Sequence, residues 1–208
     1  MTKLIAVASF IMVSGFVHAQ TFEGEVVYKN TCKSNIPGLS DEKLGSLIGA
    51  KQEYYIKDGH YKSLSEGTTI TVQLYDDKTN RLYNKTPASD TLFWFDASNN
   101  TDSVISYEIE KEMQNVLGIQ CNVLIAKTKT GTTTFFYNNK YKVNSSRFRN
   151  HNYGNWAFFV LKTGALPLKT IIESNQFRIE NTAVEIKPLK LEEGFFEIGP
   201  NTPIKKSN

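Results

Sequence analysis

Apolar and polar residues alternate in short runs along most of this chain, and turn-forming residues separate the runs. This period of two is the strongest constraint on what it can fold into. In "FEGEVVYKN", Phe22, Gly24, Val26 and Tyr28 share one face, with Glu23, Glu25 and Lys29 on the other. "KQEYYIKDGHYKSL" reads as a hairpin turning at Asp58-Gly59, where one residue can take positive φ. "TTITVQLYDDKTNRLYNK" repeats the plan: Ile70, Val72 and Leu74 line one face, Asp76 to Asn80 turns, and Leu82 or Tyr83 returns. Ile105, Tyr107 and Ile109 alternate in "SVISYEIEKE", and "IQCNVLIAKTKTGTTTFFYN" turns at Thr130-Gly131. "LPLKTIIES" and "QFRIENTAVEIKPL" complete a set of about ten strands, the spacing of a mainly β protein built as one sheet or barrel.

One run breaks the alternation. In "TLFWFDA", Leu92, Phe93, Trp94 and Phe95 are consecutive, so both faces of that strand are apolar and both need a cover. Leu92 and Trp94 share one face, Phe93 and Phe95 the other, and either pair can be the inward one. Leu92 and Trp94 are taken as inward here. The irregular residues 145–164, with Phe148, Tyr153, Trp156 and Phe158, are the expected cover for the other pair.

Helix is scarce. In "SDEKLGSLIGA", Ser40 suits an N-cap, Asp41 and Glu42 suit the positive end of a helix dipole, and Gly49 suits the C-terminus. Leu44, Leu47 and Ile48 then form one apolar stripe. About two turns of helix cannot stand alone, so the stripe must lie on the sheet as a lid. A second helical turn is expected around Trp156 to Leu161.

The N-terminus reads "MTKLIAVASFIMVSGFVHAQ": a basic Lys3, an apolar run from Leu4 to Phe16, and Val17-His18-Ala19 at a peptidase-type site. Residues 1–19 are expected to be a secretory signal and 20–208 a single β domain, exported to the periplasm or beyond. The apolar run is too short to span a bilayer. The formal charge of +3 falls to +2 once Lys3 is removed, which gives no electrostatic case for nucleic acid. Lys205-Lys206 reads as a solvated tail. Export and an even cysteine count predict a Cys32–Cys121 disulfide, closing about 90 residues and stabilising the fold by about 4 to 5 kcal/mol on the chain-entropy model.

The chemistry-bearing residues form no catalytic constellation. His60 follows a turn, and His151 lies in the basic, Asn-rich run "RFRNHNYGN", which reads as a solvated loop. The chain holds no HExxH, Cys-x-x-Cys or GxSxG pattern and no phosphate-cradling glycine loop, so zinc-hydrolase and serine-esterase scaffolds are missing. Asp76 to Asn80 lacks the glycine and terminal glutamate of an EF-hand loop. A non-enzymatic protein without cofactor or metal is expected.

The order "FEGEVVY", "YYIKDGHYKS", "LYDDKTNRLY", "NVLGIQCNVLIAKTKTGTTTFFY", "GALPLKTIIES", "NTAVEIKPLKLEEGFFEIG" resembles a family of secreted bacterial domains of unknown function allied to the LolA-like lipoprotein-carrier superfamily. "LGIQC", "LPLK" and "KPLKLEEGFFEI" carry it most specifically. The resemblance implies a curved antiparallel sheet, an incomplete barrel, with one or two short helices plugging its concave side. In the carriers that space holds acyl chains. A lipid or other apolar ligand between Leu44, Leu47, Ile48, Leu92 and Trp94 is therefore expected. The alternative is a structural or interaction protein of the envelope with a filled core.

Overall fold

A computed structural model of the chain describes residues 21–207. The expected signal segment lies outside these residues. In chain order the elements are β1 (Gly24–Ser34), α1 (Asp41–Ile48), β2 (Lys51–Lys57), β3 (His60–Ser65), β4 (Val72–Asp76), β5 (Arg81–Lys85), β6 (Leu92–Asp96), β7 (Ser106–Val116), β8 (Ile119–Lys127), β9 (Gly131–Lys142), α2 (Trp156–Thr163), β10 (Ala165–Ser174), β11 (Phe177–Pro188) and β12 (Ile204–Lys206). The fold is mainly β: one large curved, unclosed sheet with two short helices.

The sheet runs β12-β6-β5-β4-β3-β2-β1-β11-β10-β9-β8-β7. Two meanders, β2 to β6 and β7 to β11, meet where β1 lies between β2 and β11. Pairing is antiparallel except at β12, which lies parallel to β6 and makes the sheet mixed rather than wholly antiparallel.

The Asp58-Gly59 turn follows the expected pattern. At Asp58-Gly59 the positive φ (49°) belongs to Asp58. Gly59 is needed for space, because a Cβ there would lie 2.5 Å from Oδ2 of Asp77. Ser40 caps α1 by accepting the Lys43 N–H at 3.1 Å. Gly164 closes α2 at φ 62°, its N–H donating to Val160 O.

The core sits on the concave face, and its plug is α2 rather than α1. Phe159 is fully buried and stacks on Phe135 with ring centroids 4.4 Å apart. Phe148, also fully buried, stacks on Tyr75 at 5.7 Å. His151 is buried among these rings, not solvated as its basic, Asn-rich surroundings imply. Helix α1 packs on β1 at the margin. Of its stripe only Leu44 is buried; Leu47 and Ile48 are half-buried. Leu44→Ala should therefore cost about 2 kcal/mol or more, and Leu47→Ala about 1 kcal/mol or less, by urea unfolding. Equal losses would mean that the whole stripe is core.

The disulfide expectation fails on topology. Both cysteines are free thiols, Cys32 on β1 and Cys121 on β8. Strands β11, β10 and β9 separate them. Four strand spacings put them roughly 19 Å apart along the sheet, against a Cα–Cα limit near 7 Å for a disulfide.

Candidate functional site

Strands β1 to β4 and β9 to β11 extend beyond the plug, and there the concave face is open. The result is a cleft of about 880 Å³. Two built rims flank it. The first joins α1 to the residues before β4: Thr69 N–H donates to Leu47 O, Ser65 Oγ donates to Ile48 O, and Leu47, Ile48 and Ile70 line the space. The second joins the turn after β6 to the β8–β9 hairpin and the start of α2. Its centre is Asp102, which accepts from the Thr128 and Thr130 hydroxyls and from the Lys129 N–H. The Thr128 hydroxyl bond, then that of Thr130, holds the Asp102 carboxyl below the ordinary carboxylate range. Asn155 Nδ2 donates to Asp102 O at 3.0 Å, bringing Tyr153 and Trp156 to the wall.

The floor combines aromatic and aliphatic side chains (Tyr54, Phe135, Ile172, Ile179) with a row of neutral polar ones. Asn181 Nδ2 on β11 donates to Asn30 Oδ1 on β1 at 2.7 Å and to Gln52 Oε1 on β2 at 2.9 Å. Gln52 Nε2 donates to Ser63 Oγ on β3 at 2.7 Å, and Asn30 Nδ2 donates to Gly49 O at 2.9 Å. Burial, then the neighbouring Tyr61 and Tyr28, pushes the Tyr54 phenol well above its usual range, so it is neutral.

The five residues expected at the ligand do not all meet there. Leu47 and Ile48 line the cleft, and Leu44 lies beneath them, buried. Leu92 and Trp94 are on the opposite face of the sheet. They pack with Leu74, Tyr83, Phe196 and Ile198, and the Arg81 guanidinium lies 3.9 Å from the centre of the Trp94 ring. The inward residue of "LFWF" is Phe95, which lines the cleft and meets Tyr153 edge-on at 4.9 Å. Alternation fixes which side chains share a face; which face is concave depends on the curvature of the whole sheet. The indole at the site is thus Trp156. The polar row was missed because Asn30, Gln52, Ser63 and Asn181 look like solvent positions. Their signal is parity: Asn30 falls in step with the inward Val26 and Tyr28, Gln52 with Tyr54 and Ile56, Ser63 with Tyr61, and Asn181 with Ala183.

Among the described residues one group could hold a metal ion, His60 with Asp76 and Asp77. Its side chains contact one another directly, and Arg147 forms an ion pair with one of its carboxylates. His60 turns Nδ1 to Asp76 at 3.5 Å and Nε2 to Asp77 at 3.2 Å, and Arg147 Nε meets the other Asp77 oxygen at 2.7 Å. It joins the β2–β3 and β4–β5 turns to the segment before α2.

No helix among the described residues is long and apolar enough to cross a membrane. No protein-family model and no curated protein matches the chain. Among solved structures it is similar in fold to PNGF-II in two crystal forms. The TM-scores are 0.50 and 0.51 at 11% and 12% identity, with 90% of this chain covered. The chain spans about a third of the length of PNGF-II, 32% and 31% in the two forms. A looser likeness, TM-score 0.34 at 11% identity, covers 82% of this chain and 89% of LprF from Mycobacterium bovis.

Proposed function

We propose that this is an exported, non-catalytic binding protein that holds a lipid or another amphiphile in the cleft of the concave sheet face. The observation that carries this reading is the cleft itself. Its volume of about 880 Å³ falls in the usual range for small-molecule sites, and apolar atoms make up most of its exposed wall although threonine, asparagine and other polar residues outnumber the aromatic and aliphatic ones. Its size also fits the energetics. Each buried methylene is worth about 0.8 kcal/mol, so six of them give about 5 kcal/mol gross with no specific polar contact. Association costs of similar size leave a weak to moderate affinity that permits release. The resemblance of the strand motifs to a secreted family allied to the LolA-like carriers supports the same reading at the level of fold. Export predicts Gln20 as the first residue of the mature protein, which N-terminal sequencing checks.

The test follows Trp156 in a Trp94→Phe background, so that only the cleft indole reports. Titration with 1-monododecanoylglycerol should give a saturable change, and Leu47→Asp should weaken binding at least tenfold while the protein still folds. No response up to the solubility limit of the amphiphile would remove the reading. A second reading, an interaction protein of the envelope, has its own observation. Strand β7 is an outer edge of the sheet; Tyr107 and Ile109 are exposed along it, and Ile105 just before it.

A further inference from the structure

Among the described residues, no cationic side chain lines the cleft. Among the described residues that line it, Asp102 and Glu173 are the charged ones, and neither lysine, arginine nor histidine contributes to the wall. Arg178, which pairs with Glu173 at 3.0 Å, is also held by Glu180 at 2.9 Å. A carboxylate or phosphate head placed here would lose its hydration without gaining a counter-charge, and it would meet the Asp102 carboxylate. The polar row has the opposite character. Asn181, Asn30, Gln52 and Ser63 fix one another through the bonds given above, which sets their orientation before any ligand arrives. Each primary amide has two N–H donors and an oxygen with two lone pairs, and the mutual bonds use only part of that capacity. An uncharged floor that both donates and accepts matches hydroxyl and amide groups, which do the same. Tyr54 and Ile179, each two residues from a member of the row on its own strand, line the cleft beside it.

From this we infer that the cleft selects neutral, hydroxyl- or amide-bearing amphiphiles over anionic ones, with the polar head on the Asn181–Asn30–Gln52–Ser63 row and the chain along the Leu47–Ile48–Ile70 rim. The inference rests on the cleft being the ligand site.

The experiment compares two probes of equal chain length, 1-monododecanoylglycerol and dodecanoate, at pH 8, where the acid is fully ionised. The protein carries Trp94→Phe, and Trp156 is the reporter. The neutral probe should bind at least tenfold more tightly. Gln52→Leu should remove most of that preference by weakening the glyceride alone, and Ser63→Ala, a milder change in the same row, should reduce it in the same direction. Gln52→Lys, which supplies the missing cation, should shift the ratio toward dodecanoate. If neither probe binds, the cleft is not a ligand site and both readings fail. If both bind equally, or the acid binds more tightly, the site stands and the selection of neutral heads is overturned. A preference that survives Gln52→Leu and Ser63→Ala unchanged would also overturn the role of the row.

Discussion

Between pH 6.5 and pH 4 the folded protein should lose about 3 kcal/mol of stability, and His151 should account for most of it. This side chain is 1% exposed. One ring nitrogen meets the Tyr61 hydroxyl at 2.8 Å, and the other has no hydrogen-bond partner among the described residues. Tyr75, with ring centroids 4.2 Å away, and Tyr61, at 5.6 Å, close over it. Burial lowers its pKa from 6.5 to about 4. The sign follows from proton counting. In this window the unfolded chain binds a proton at His151 that the folded chain does not, so acid favours unfolding. The contribution is complete above pH 6.5 and is lost as pH falls toward 4. Carboxyls held below their ordinary range, such as Asp102 and Glu180, lose their contribution as pH falls through and below the ordinary carboxylate range, so they overlap only the acid end of this window and His151 dominates its upper part. Urea unfolding at pH 7.5, 6, 5 and 4 measures the slope. His151→Phe keeps the ring and removes the titration. It should be less stable than the wild type at pH 7.5, through loss of the Tyr61 hydrogen bond, yet nearly flat from pH 6.5 to 4.5. Parallel slopes for the two proteins would show that His151 is not the source.

His151 also shows where the sequence ceases to be legible. Its neighbours Arg147, Arg149, Asn150 and Asn152 look solvated, and the alternating and helical templates detect no burial in an irregular segment. Yet Phe148, Trp156 and Phe159, in or just beyond that segment, fill the concave face. The signal was the density of aromatic residues, not their period. The strands themselves were legible, because period-two runs and turn residues are local. So was α1, because capping is chemistry within a few residues. The disulfide, the inward face of β6 and the division of labour between α1 and α2 were not. Each depends on how far apart two strands lie in a twelve-stranded order, or on which side the sheet curves toward. These are properties of pairings between residues more than a hundred positions apart, such as Tyr28 with Ala183.

The same reasoning explains why a strand with four consecutive large apolar residues is tolerated, and it yields the larger of the two expected effects. Phe95 points into the concave face, while Leu92 and Trp94 point out of the convex one. The convex side is covered by the segment that follows β11. Leu189 N–H donates to Glu23 O, and Lys57 Nζ donates to Leu191 O at 2.5 Å. Phe195 then meets Tyr55 at 4.9 Å, with the Lys62 ammonium 4.9 Å from the centre of its ring. Phe196 and Ile198 pack with Leu74, Tyr83, Leu92 and Trp94. Leu92 N–H donates to Pro203 O at 2.9 Å, and β12 continues beside β6. This strap crosses the strands from β1 to β6. Fully burying one Leu- or Phe-sized side chain is worth about 1.5 to 3 kcal/mol, so ending the chain after Pro188 should cost on the order of 5 kcal/mol. Most domains have only about 5 to 15 kcal/mol in total, so the truncated protein should melt far below the full chain or fail to fold. Any folded fraction should self-associate through the uncovered Leu74, Tyr83, Leu92 and Trp94, seen as a mass that rises with concentration in sedimentation. Ending the chain after Pro203 keeps the Leu92–Pro203 hydrogen bond, removes β12, whose residues are all exposed, and should cost about 1 kcal/mol or less. A single Phe196→Ser change should fall between the two. If the Pro188 truncation unfolded at the same urea concentration as the full chain, the strap would be an ornament and "LFWF" would need another cover.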